Sequence, residues 1–150
     1  MNYKFFKYYV VFLSGIIIFF CSFQDASAKT RMAISVPLAN IRSGPGLTYD
    51  VLWQAEKYYP IVVIKSSGQW YYFKDFENDK GWVNKKLVKK INTVVTKRLG
   101  NIRSGPGTKY SIVFKAEAGV VFKVKKKRGK WLYVRHADGD KGWIFRSLVW

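Results

Sequence analysis

A chain of 150 residues, 49% hydrophobic and 18% aromatic, has room for one domain or two small ones and is too apolar for the bulk of it to be disordered. Its 27 Lys and Arg against 9 Asp and Glu give a formal net charge of +18, which points to acidic partners. One Cys (Cys21) excludes a disulfide framework or a thiolate metal site within one chain, and one His (His136) excludes the paired imidazoles of a zincin-type centre.

Met1 to Tyr9 carries Lys4 and Lys7 and no acid, Val10 to Phe23 is almost wholly apolar, and Ala26-Ser27-Ala28 forms a small-x-small cleavage signal before Lys29. Together these features predict a secretory signal peptide over residues 1–28. The apolar run of 14 residues is short of the ~20 that a spanning helix needs. Ile18-Phe19-Phe20 ahead of Cys21 is unlike a lipid-attachment box, which places a small residue beside the cysteine. Cleavage after Ala28 leaves a chain with no Cys and a net charge of +17, suited to an oxidising compartment and lacking a cysteine nucleophile. The expected location is periplasmic or secreted.

The remainder repeats itself at an offset of 61 residues, without a gap. Asn40-Ile41-Arg42-Ser43-Gly44-Pro45-Gly46 returns as Asn101-Ile102-Arg103-Ser104-Gly105-Pro106-Gly107. Tyr49 aligns with Tyr110, Gly68-x-Trp70-x-Tyr72 with Gly129-x-Trp131-x-Tyr133, and Asp79-Lys80-Gly81-Trp82 with Asp140-Lys141-Gly142-Trp143. Val63/Val124, Lys65/Lys126 and Leu87-Val88/Leu148-Val149 match as well, giving 21 identities over the fifty positions from Asn40 to Lys89. Two copies are too few for a solenoid, so each unit is expected to be a small domain with its own core, over residues 29–90 and 91–150.

Within each unit the pattern is β. Ile61 to Lys65 is β-branched, Gln69 to Lys74 is aromatic behind Ser66-Ser67-Gly68, and Gly81-Trp82-Val83 follows the polar turn Glu77 to Lys80. In the second copy Val120, Phe122 and Val124 alternate with Lys123 and Lys125, and Trp131 and Tyr133 lie between Lys130 and Arg135. Period-two alternation with turns every 8–12 residues predicts an all-β barrel or sandwich. Ser43-Gly44-Pro45-Gly46 opens a long loop with a sharp turn, because Pro45 fixes φ between permissive glycines. Val94-Val95 is the expected first strand of the second unit, after a short linker near Lys89 to Thr93 that restricts relative orientation. Lys85 to Lys89 and Arg146 to Val149 have room for a single helical or 3₁₀ turn.

N-x-R-S-G-P-G, the following Tyr, the G-x-W-x-Y hairpin and the closing G-W-V or G-W-I strand resemble the bacterial SH3 (SH3b) domain. The resemblance covers Arg31 to Lys90 and Asn92 to Trp150, and it implies two tandem SH3-like small barrels. The tandem form with a signal peptide resembles the small exported bacterial SH3 proteins typical of Gram-negative species. Such domains are usually non-catalytic modules implicated in binding cell-wall peptides or peptidoglycan, often beside hydrolases, so the resemblance implies a binding protein that is not an enzyme.

The residues themselves frame the candidate sites. His136 has Asp75 as its counterpart, so the repeat does not reproduce it, and it is expected to be an exposed turn histidine without the oriented partners catalysis needs. No metal set and no cofactor is expected. Trp53, Trp70 and Trp82 match Phe114, Trp131 and Trp143, and each has both a core reading and a groove reading. The groove candidates are Tyr49 and Tyr110 first, then Trp53, Phe114, Trp70, Tyr72, Trp131 and Tyr133. Arg42 and Arg103 are either braces of the loop backbone or clamps for a carboxylate. The charge is +6 over residues 29–90 and +11 over residues 91–150. Its densest run, Lys123, Lys125, Lys126, Lys127, Arg128 and Lys130, is the candidate polyanion-binding hairpin. Three partner classes follow: peptidoglycan or its stem peptides, a peptide of an envelope protein, or an anionic envelope polymer such as lipopolysaccharide or teichoic acid. Export argues against nucleic acid.

Overall fold

The computed structural model describes residues 30–150; the expected signal peptide, residues 1–28, lies outside the described residues. The first unit contributes β1 (Thr30–Ile34), β2 (Leu38–Arg42), β3 (Val51–Glu56), β4 (Pro60–Ser67), β5 (Trp70–Lys74), β6 (Lys80–Asn84) and β7 (Val88–Lys89). The second contributes β8 (Thr93–Val95), β9 (Gly100–Arg103), β10 (Ile112–Ala116), β11 (Val121–Arg128), β12 (Trp131–Arg135) and β13 (Lys141–Phe145). The two expected single turns are present as 3₁₀ turns, Lys85–Leu87 and Arg146–Leu148. Among the described residues there is no α-helix.

The strands form two antiparallel sheets, ordered β3-β2-β6-β5-β4-β1-β7 and β10-β9-β13-β12-β11-β8. The orders are equivalent, and a bridge between Thr96 and Val149 stands in the second sheet near where β7 pairs with β1 in the first. The tips of the long hairpins fall at Gly68 and Gly129, with φ of 51° and 55°, a conformation that glycine adopts at no steric cost.

Each strand of the first sheet sends buried residues to a common centre: Ile34, Ala39, Ile41, Ala55, Ile61, Phe73, Val83 and Val88. A sheet whose every strand meets one core must curl around it, and the alternate residues then face outward. The second unit repeats this with Val94, Ile102, Ala116, Phe122, Leu132, Val134, Ile144 and Val149. The large side chain moves between positions, from Phe73 on β5 to Phe122 on β11, where the partners are Val134 and Ile61. Each core keeps one phenyl ring while its position changes, a swap that cores tolerate.

Bulges fall at the same places in both units. Pairing of β4 with β5 slips between Val63 and Lys65, and pairing of β11 with β12 slips between Val124 and Lys126. Pairing of β2 with β3 slips at Arg42 and that of β9 with β10 at Arg103. A bulge re-aims the side chain that follows it. These bring Lys65 and Lys126, rather than their neighbours, opposite Tyr72 and Tyr133.

The units touch through a small aromatic contact. The Arg31 guanidinium lies 4.0 Å from the ring centroid of Trp150, and its Nη2 donates to the carbonyl of Thr93 at 3.4 Å. Phe76 tilts against the same Trp150 ring at 6.4 Å. Three residues separate β7 from β8.

Candidate ligand-binding site

The loop after β2 is held by the arginine that precedes it. Arg42 Nη1 donates to the carbonyls of Leu47 and Tyr49 at 3.1 and 2.7 Å, and Arg103 Nη1 donates to those of Thr108 and Tyr110 at 3.1 and 2.8 Å. The bracing role is therefore built into both units, and it uses one terminal nitrogen of each guanidinium. Tyr49 and Tyr110 lie flat on the Gly-Pro-Gly turn. A Cβ at Gly44 or Gly105 would fall within 2.6 Å of three ring carbons of the respective tyrosine, which is why only glycine fits there. These two tyrosines, the leading groove candidates by sequence, pack on their own loops and do not line the cleft described below.

The outer face of each sheet carries a row of side chains across four strands. Lys65 on β4 pairs with Tyr72 on β5, Tyr72 with Trp82 on β6, and Trp82 with Arg42 on β2. The second unit has Lys126, Tyr133, Trp143 and Arg103 in the same register. Cross-strand partners share a face, so each row reads cation, aromatic, aromatic, cation. The rings of Tyr72 and Trp82 stand 5.1 Å apart, and those of Tyr133 and Trp143 stand 5.3 Å apart. Lys65 Nζ sits 5.3 and 5.7 Å from its two rings, and Lys126 Nζ sits 5.0 and 5.5 Å from its own, close enough for cation–π attraction.

Beside each row lies a cleft. In the first unit it is about 480 Å³ and includes Leu38, Asn40, Arg42, Gln54, Trp70 and Asn84. In the second it is about 420 Å³ and includes Leu99, Asn101, Arg103, Lys115, Trp131 and Phe145, the same six positions. Asn40 and Arg42 alternate with the core residues Ala39 and Ile41, so they must face outward. The arginine belongs to both row and cleft, making the two one continuous surface.

The remaining sequence candidates fall as follows. Trp53 meets Phe73 edge-on at 6.3 Å and Phe114 packs against the second core, so both take the core reading. Trp70 is 9% exposed yet stands outside the core cluster, lining the first cleft. Trp131 is half-buried and meets Phe145 edge-on at 5.3 Å. In the lysine run, Lys125, Lys127, Arg128 and Lys130 are exposed and Lys123 is half-buried, while Lys126 lies over the Tyr133 and Trp143 rings.

His136 differs from its expectation as an exposed turn residue. It is half-buried, meets Phe122 edge-on at 5.7 Å, and its Nδ1 lies 2.8 Å from Asp138 Oδ1. The Asp140 N–H and then His136 hold the Asp138 carboxyl below its ordinary range. Its counterpart Asp75 is buried and accepts from the Tyr59 hydroxyl at 2.7 Å and from the N–H groups of Glu77 and Asp79 at 2.9 Å. Both residues organise the same turn by different means. Burial and then the Asp75 carboxylate push the Tyr59 phenol far above its usual value.

Sequence reasoning gave Trp82 and Trp143 both readings but left them off the groove candidates, and it did not single out Lys65, Asn40, Asn101, Gln54, Lys115, Asn84 or Phe145 as site residues. The signal for Lys65, Trp82, Trp143, Asn40 and Asn101 was present, since they are identical in pairs or recur at the 61-residue offset. Their assembly on one face needed the register.

Residues 35–90 and 96–150 each match the family model described as "Bacterial SH3 domain". Over 99% of its length the chain is 28% identical to YrvJ of Bacillus subtilis, named "Putative N-acetylmuramoyl-L-alanine amidase", of which it covers 31%. A stretch of 44 residues, 29% of the chain, is 41% identical to the "Probable cell wall amidase LytH" of Staphylococcus epidermidis, covering 15% of that protein. The chain thus spans less than a third of the length of these curated relatives. Among solved structures, NlpC2 from Trichomonas vaginalis aligns over 81% of this chain and 48% of its own, with 14% identity and a TM-score of 0.36, too slight a likeness to carry an argument. With both halves matched and two equivalent curled sheets, the chain belongs to the bacterial SH3 domain family.

Proposed function

We propose that the protein is an exported, non-catalytic cell-wall-binding protein, periplasmic or secreted, whose two SH3 domains (residues 29–90 and 91–150) hold peptidoglycan through its stem peptides. The observation that carries this reading is the row of Lys, Tyr, Trp and Arg at the same register in both units, bordering a cleft on the same six positions. Paired aromatic faces suit sugar rings and apolar side chains, and Arg and Lys suit stem-peptide carboxylates. Two such surfaces on one chain raise avidity where both engage. The amidase names of the curated relatives fit a wall-associated setting. His136 is committed to Asp138 and Phe122 and has no equivalent in the first unit, which fits a binding role without turnover.

A second reading rests on charge. Among the described residues no Lys or Arg forms a salt bridge with an acid, and the tip of the β11 hairpin projects an exposed basic run. Unneutralised charge of one sign attracts anionic polymers at long range. Co-sedimentation with purified, protein-free sacculi across a salt series separates the two. The wall-binding reading predicts retention at about 1 M salt, where the Debye length is about 3 Å. It also predicts weakened retention for Tyr72→Ala with Tyr133→Ala, and no solubilisation of the sacculi. Retention only at low salt, indifferent to those tyrosines, identifies a polyanion binder. No retention at any salt overturns wall binding and points to an envelope protein as partner, to be sought by crosslinking.

A further inference from the structure

The two clefts share positions but not chemistry. In the first, Gln54 Nε2 donates to Asn40 Oδ1 at 2.9 Å, and Asn84 Oδ1 accepts from the Lys86 N–H at 3.0 Å, capping the 3₁₀ turn. The polar groups around that cleft are largely satisfied within the fold, so a polar ligand must first break those bonds. In the second, Lys115 replaces Gln54, Phe145 replaces Asn84, and Ser147 stands at the position of Lys86, so each cleft is lined by two cations, Arg42 and Lys86 in the first and Arg103 and Lys115 in the second. Neither Lys115 nor the Asn101 side chain has a hydrogen-bond or ion-pair partner among the described residues. Phe145 gives its turn no side-chain cap and packs edge-on against Trp131 instead. Phe145 also borders a second hollow of about 410 Å³, which adds Lys130 and Arg146. Phe145 is thus shared by a cleft that holds Arg103 and Lys115 and a hollow that holds Lys130 and Arg146.

We propose that the cleft of the second unit is the anion-selective site of the protein, taking a carboxylate-bearing muramyl peptide, and that the first cleft does not select for the anion. The carboxylate is taken by Lys115 together with the nitrogens of Arg103 not bonded to the loop, and the sugar or apolar body lies on Trp131 and Phe145. Lys115, without a partner and lining the cleft with the pair of Trp131 and Phe145, favours this occupant, whereas the first cleft has Gln54 and Asn84 there, both already bonded within the fold. The inference rests on the wall-binding reading and deepens it by assigning different ligand groups to the two repeats.

The test uses the isotope-labelled full chain, following the indole N–H resonances of Trp70 and Trp131. The probes are N-acetylmuramyl-L-alanyl-D-glutamate and its neutral diamide. The acid should shift Trp131 and bind there about tenfold more tightly than the diamide, with no such preference at Trp70. Lys115→Gln with Phe145→Asn should bring the acid down to the level of the diamide. The reciprocal Gln54→Lys with Asn84→Phe should create an acid preference at Trp70. A preserved amide spectrum verifies folding of each variant, and the unmodified chain alone already decides the question through acid against diamide. Equal binding of acid and diamide at Trp131, or equal acid preference at both clefts, overturns the proposal. If the chain still pellets with sacculi, wall binding survives that result. If it binds neither sacculi nor probe, both fall together.

Discussion

Gly105 lies under the ring of Tyr110, and a methyl group there has nowhere to go. Its Cβ would come within 2.6 Å of three ring carbons, while the same ring already rests 3.4 Å from where a Cβ on Gly107 would stand. Arg103 holds the tyrosine carbonyl at 2.8 Å, so the residue is pinned from its backbone as well. Gly105→Ala therefore forces the ring off its turn, an overpacking worth about 1–3 kcal/mol. Because this energy is local, native-state amide exchange reads it best. The N–H of Ser104, bonded to the Ser111 carbonyl at 3.0 Å, and that of Gly107, bonded to the Gly105 carbonyl at 3.0 Å, should exchange roughly 5- to 150-fold faster. In a Tyr110→Ala background the obstruction is gone, and the same substitution should change exchange by less than about threefold. An equal effect of Gly105→Ala in both backgrounds would mean that the tyrosine is not the group that requires glycine.

Phe73 is fully buried at the centre of the first core, so Phe73→Ala should cost about 3–5 kcal/mol, and urea unfolding should show the first unit melting ahead of the second. Tyr59 keeps its proton in the folded state far above the value near 10.0 of an unfolded tyrosine. Its contribution to stability is complete below about pH 10 and is lost as pH rises beyond it. Tyr59→Phe should then flatten the alkaline limb of urea midpoints between about pH 9 and 11, and parallel limbs would contradict this. Trp150→Ala removes the ring under Arg31 and against Phe76, so ¹⁵N relaxation should show the two units tumbling more independently; unchanged relaxation would mean that the short linker alone fixes them.

The fold was legible because the repeat gave each strand two readings. Val120, Phe122 and Val124 alternate clearly where Ile61 to Ile64 do not, and the shared offset assigns both to one strand type. The loop chemistry was also legible, since Gly-Pro-Gly with an arginine ahead of it has few geometric solutions. The site was only partly so. Tyr49 and Tyr110 stand beside the loop in sequence, but flat packing on glycine is a contact that spacing does not encode. Lys65 and Trp82 meet Tyr72 and Arg42 only through pairing across four strands, and a bulge shifts Lys65 by one residue into that row. The difference between the clefts was visible as Gln54 against Lys115 and Asn84 against Phe145. Its meaning appeared only when Gln54 was found bonded to Asn40 and Phe145 packed on Trp131.

On the proposed function, the outer sheet faces are what the protein presents to the cell wall. Amide exchange of the full chain, compared free and bound to purified sacculi, tests this most directly. Binding on those faces predicts added protection in β2, β5 and β6 and in their counterparts β9, β12 and β13. Protection confined to the basic tip from Lys125 to Lys130, or no protection at all, would contradict it.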